Sequence, residues 1–83
     1  MDYLSSLSQL GSQLAQMRKA RGLTQSEVAF RSGIPRLKVI HVEAGRPTVS
    51  VEAYARVAAA LGAGIQAAPT RRPTIDEIAE ILK

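Results

Sequence analysis

Leu4, Leu7, Leu10, Leu14 and Met17 recur at spacings of three and four, the apolar stripe of an amphipathic helix, and predict a first helix from Tyr3 to Arg21. Gly22 ends it. Thr24 and Glu27 then stand in capping-box spacing, where the hydroxyl can accept from the amide three residues on and the carboxylate can reach back to the Thr24 amide. A second helix is expected there, with Val28 and Ala29 turned inward and Gly33 supplying a left-handed stop. Only Ile34 and Pro35 precede a third helix, whose first turn tolerates proline and which closes at Ala44 and Gly45. Arg46 to Val49 connects to Ser50, an N-cap residue type. From there Val51, Tyr54, Ala55, Val57, Ala58 and Leu61 give a fourth helix closed by Gly62. The expected fold class is all-α, with four helices on one core.

The remaining segment is patterned differently. Ile65, Gln66, Ala67 and Ala68 lie between Gly64 and Pro69 and read as a short strand, yet no other segment resembles a strand to pair with it. A lone strand is not stable in water, so the expected partner is the same segment of a second chain about a twofold axis. Thr74 and Glu77 repeat the capping-box spacing ahead of Ile75, Ile78, Ala79 and Leu82, a fifth helix that must dock on something because it is too short to stand alone. Residues 1–62 are thus expected to be one helical domain, and residues 63–83 an extension for dimerisation or partner docking.

Composition narrows the chemistry. A chain of 83 residues forms one small domain with about 60% of its unfolded surface hidden, which favours association with a partner. There is no cysteine and a single histidine, His41, so neither a disulfide framework nor a metal cluster is expected, and no cofactor is called for. The cysteine-free composition fits a reducing cytoplasm. No apolar run approaches the roughly 18 to 20 residues of a membrane span, and Met1 to Leu10 lacks the features of a signal peptide. The net charge of +4 is unevenly placed. Arg18, Lys19, Arg21, Arg31, Arg36, Lys38 and Arg46 face only Glu27 and Glu43 in the same window, the electrostatic footprint of a polyanion-binding surface.

At 100° per residue, Pro35, Val39 and Val42 of the third helix fall within about 60° of one another and form its core face. Arg36, Leu37, Ile40, His41 and Ala44 occupy the opposite side, spanning about 140°. Arginine can fork onto guanine, imidazole can reach a base edge or phosphate, and aliphatic groups can meet thymine methyls, so this face suits a DNA major groove. Lys38, on the flank, suits phosphate. The plainer reading is that Leu37 and Ile40 cover apolar surface within the monomer while Arg36, Lys38 and His41 are solvated. Phe30 stands outward on the second helix and is expected at the edge of the core, with a partner interface the alternative.

The run Leu10-Gly11, Arg18, Gly22-Leu23-Thr24-Gln25, Glu27-Val28-Ala29, Gly33-Ile34, Val39, Val42-Glu43-Ala44-Gly45, Val57-Ala58 and Ala60-Leu61-Gly62 resembles the helix-turn-helix domain of the phage repressor and Cro family, the XRE type. The resemblance implies a compact lambda-repressor-like fold of four to five helices. It implies base contacts by Arg36, Leu37 and His41, with Ile40 as a weaker member, and phosphate contacts by Gln25, Lys38 and Arg46. Arg18 and Glu43 match a pair that forms an ion pair in the family, with phosphate contact a second role for Arg18. Pro35 departs from the hydroxyl residue common at the start of the third helix. Leu37, Lys38 and Ile40 stand where small or polar residues are frequent, so the base code cannot be copied from a known member. The tail resembles the dimerising extension of some members, including antitoxins of the HipBA type.

The expected function is a cytoplasmic, nucleoid-associated transcription regulator on double-stranded DNA. It is read as a homodimeric autoregulatory repressor of a palindromic operator, dimerising through Ile65, Gln66, Ala67 and Ala68. An antitoxin whose extension binds a toxin protein is the alternative, and a protein-bridging adaptor a more distant one. No catalytic residue set is expected, since no carboxylate pair, cysteine or histidine cluster forms a recognisable motif.

Overall fold

The computed structural model describes residues 2–69. Among them are four helices, α1 (Tyr3–Ala20), α2 (Gln25–Ser32), α3 (Arg36–Glu43) and α4 (Val51–Ala60). The predicted fifth helix lies outside the described residues.

Local chemistry sets each boundary. Asp2, which the apolar pattern does not reveal, caps α1 by accepting from the Ser5 amide at 2.7 Å. The capping box of α2 is complete: Thr24 Oγ1 accepts from the Glu27 amide at 3.1 Å, and the Thr24 amide donates to Glu27 Oε1 at 3.0 Å. Ser50 caps α4 through the Ala53 amide. Pro35 precedes α3 without a side-chain cap. The chain leaves all four helices through a glycine at positive φ, at positions 22, 33, 45 and 62.

The core is formed by Leu14, Val28, Ala29, Val39, Val42, Ala53, Tyr54, Val57, Ala58 and Leu61. Leu7, Leu10, Met17, Leu23, Ile34 and Val49 pack around it. α3 touches α1, α2 and α4, and its two inward valines are wholly buried. Each such side chain contributes about 1.5 to 3 kcal/mol of burial, so the position of α3 is fixed by packing rather than by its own eight-residue helix, which would not persist alone.

Two sequence expectations need correction here. Pro35 is exposed, not part of the core face of α3, because its ψ of 149° is extended and the helical wheel does not reach back to it. Phe30 is 90% exposed rather than at the core edge. On the short α2 the inward face is taken by Val28, Ala29 and Ser32, and Phe30 points away from it.

Residues 63–69 have neither helix nor strand in the single chain. They run beside α1, where Gln9, Leu10 and Gln13 line a groove with Ile65 and Pro69. The strand expected at Ile65 to Ala68 is not formed in the single chain, where the four residues are exposed.

Candidate nucleic-acid interface

α3 divides its residues sharply. Val39 and Val42 face inward, whereas Arg36, Leu37 and Lys38 are exposed, Leu37 by 60%. Ile40 and His41 are half-buried at the boundary, and Ala44 is exposed. The outward set therefore joins two cations to an aliphatic side chain on the first turn of a helix whose N-terminus carries no side-chain cap. Among the described residues, Leu37 leaves most of its side chain in solvent rather than covering apolar surface. Arg46 is exposed one residue beyond the glycine that ends the helix.

Behind this face lies a polar brace. Arg18 Nε donates to Glu43 Oε2 at 2.6 Å and Arg18 Nη2 to Glu43 Oε1 at 3.1 Å, a two-point pair joining α1 to the last residue of α3. The side chains are only 12% and 8% exposed. The third arm of the guanidinium, Nη1, donates to the Leu23 carbonyl at 2.8 Å. Arg18 thereby holds α1, the α1–α2 turn and α3 together, leaving little of its side chain for solvent.

Gln25 belongs to the same network. Its Nε2 donates to Glu43 Oε1 at 3.1 Å, tying the first residue of α2 to the end of α3. A carboxylate only accepts, so the Gln25 amide nitrogen must face Glu43 and its other N–H and its carbonyl oxygen are directed elsewhere.

The link between α4 and the interface was not foreseen from the sequence. Tyr54 is 1% exposed, and its hydroxyl donates to the Arg46 carbonyl at 2.9 Å. Burial pushes the Tyr54 phenol above its ordinary value, which keeps it a donor at neutral pH. The available signal was a lone tyrosine on the inner face of an alanine-rich helix, since a buried hydroxyl needs a partner. Among the described residues no group of histidine, cysteine and carboxylate side chains could hold a metal ion.

A family model described as a helix-turn-helix domain matches residues 9–72. The chain belongs to this helix-turn-helix family. Its type is that of the XRE regulators, DNA-binding proteins. The crystal structure of the restriction-modification controller protein C.AhdI from Aeromonas hydrophila is similar, with a TM-score of 0.63 and 37% sequence identity over 71% of this chain and 89% of the controller. No curated protein matches. This helix-turn-helix protein is thus a DNA-binding transcription regulator of a family that is not enzymatic. Among the described residues no helix is long and apolar enough to cross a membrane.

Proposed function

We propose that the protein is a homodimer that represses its own promoter by reading a palindromic operator, with one α3 in each of two major-groove half-sites. The observation that carries this is the division of α3, in which Val39 and Val42 are wholly buried while Arg36, Leu37 and Lys38 stand in solvent beside half-buried Ile40 and His41. In this reading Arg36, Leu37, Ile40 and His41 meet base edges, and Gln25, Lys38 and Arg46 meet phosphates. Arg18 serves chiefly as the brace already described. Residues 1–62 form the DNA-binding domain. The extension from 63 dimerises through Ile65 to Ala68, supported by the 41% exposure of Ile65 beside α1 in the single chain.

A second reading concerns what is regulated. The 37% identity to a restriction-modification controller favours control of a restriction-modification locus over partnership with a toxin.

Selection of bound fragments from random DNA tests the proposal. The expected product is a twofold-symmetric site with half-sites about 10 to 10.5 base pairs apart. Enrichment of a single asymmetric half-site would overturn the dimeric reading, and no enrichment would overturn sequence reading altogether.

A further inference from the structure

Arg46 follows Glu43, the last residue of α3, after Ala44 and Gly45, and its backbone is held at three points. Its amide donates to the His41 carbonyl at 3.1 Å, closing the last turn of α3. Its carbonyl receives the Tyr54 hydroxyl at 2.9 Å. The ring of Pro47 follows it and confines a preceding residue to extended conformations. The side chain nevertheless remains exposed. A surface cation on a loop ordinarily gives up backbone and side-chain freedom when it meets a phosphate, and a pinned backbone has lost part of that freedom before binding.

We propose that Tyr54 is a positioning residue for DNA binding: through its buried hydroxyl it holds the Arg46 backbone so that the Arg46 guanidinium is presented to a phosphate. The inference rests on the phosphate role assigned to Arg46 above. The tyrosine acts from inside the core and touches no DNA. Its ring serves the fold, as a phenylalanine ring would, and only the oxygen serves the interface.

The test is a double-mutant cycle of Tyr54→Phe and Arg46→Ala in the full chain. Binding to a mixed-sequence DNA duplex is measured across a salt series, and a thermal melt of each variant accompanies it. Arg46→Ala is expected to weaken binding and lower the salt slope by about one, because one released counterion is lost. Tyr54→Phe is expected to weaken binding about fivefold, the scale of one hydrogen bond, and to cause no further loss once Arg46 is alanine. A structural role would weaken both backgrounds equally, so additive losses overturn the positioning role, as does full affinity in Tyr54→Phe. An unchanged slope and affinity in Arg46→Ala would instead overturn the phosphate role on which the inference stands. Should Tyr54→Phe melt near the assay temperature, the same cycle is run at a lower temperature at which all four proteins are folded, and the coupling is read there.

Discussion

Gly11 of α1 and Gly45 at the end of α3 meet backbone to backbone. A β-carbon at Gly11 would lie 2.9 Å from the Gly45 nitrogen and 2.5 Å from the Val42 carbonyl oxygen, and one at Gly45 would lie 2.7 Å from Ser8 Cα. These are backbone atoms, which cannot swing aside as a side chain can. Gly45 also sits at a φ of 70°, so its lack of a side chain serves both the turn and the crossing.

Gly11→Ala therefore has a diagnostic sign. In an open helical position alanine would stabilise α1 by about 1 kcal/mol. At this crossing it is expected to destabilise the protein by about 3 kcal/mol, as α1 is forced off α3. Urea unfolding reads the difference, and any gain in stability would show that the helices do not cross this closely.

Removing the carboxylate of Glu43 strands the Arg18 guanidinium and the Gln25 amide in a mostly buried space. Glu43→Ala should cost about 3 kcal/mol, whereas the paired replacement Arg18→Met with Glu43→Met should cost less than the single change, because no charge is left unpartnered. Chemical denaturation of the two variants beside the parent protein compares them. A double variant at least as damaged as the single one would contradict this account of the brace.

Arg36→Ala should reduce specific binding by about 1 to 3 kcal/mol and relax preference at one base position. Lys38→Ala should weaken selected and random duplexes alike and lower the salt slope by about one. Competition binding on both duplexes separates the roles. Equal losses on both for Arg36→Ala would remove it from base reading.

Acid should loosen the starts of α1 and α2. The Glu27 carboxyl is held below its ordinary range by the Thr24 backbone amide and then by the Thr24 hydroxyl, and that of Asp2 mainly by the Ser5 backbone amide. A lowered folded-state value stabilises the protein above the unfolded-state value, and the contribution is lost as pH falls through the folded value. Helical circular dichroism and the melting midpoint are expected to decline over that acidic interval. Glu27→Gln combined with Asp2→Asn should flatten the decline, and an undiminished pH dependence in that variant would exclude these two caps as its source.

The helices were legible because their signals are local. The three-and-four spacing from Leu4 to Met17, the Thr24 and Glu27 box, Ser50 and the glycine stops all act within a few residues of chain. The core face of α3 was legible at Val39 and Val42 for the same reason. What escaped depends on approach through space. Tyr54 finds Arg46 only once α4 has packed against the preceding chain, and Gln25 finds Glu43 across eighteen positions. The crossing at Gly11 leaves no trace beyond the glycine itself, which inside a helix reads merely as a weak helix former. Phe30 shows the reverse failure, since an aromatic residue suggests burial and α2 is too short to turn that side of itself inward.

The division of α3 between buried valines and exposed residues on its outer face has an evolutionary consequence. Since Arg36, Leu37 and Lys38 contribute almost nothing to the interior, they can be exchanged without eroding the fold. If the proposed base contacts hold, descendants of such a chain can acquire new operators one substitution at a time while keeping the same scaffold, and divergence of target preference is decoupled from the risk of misfolding.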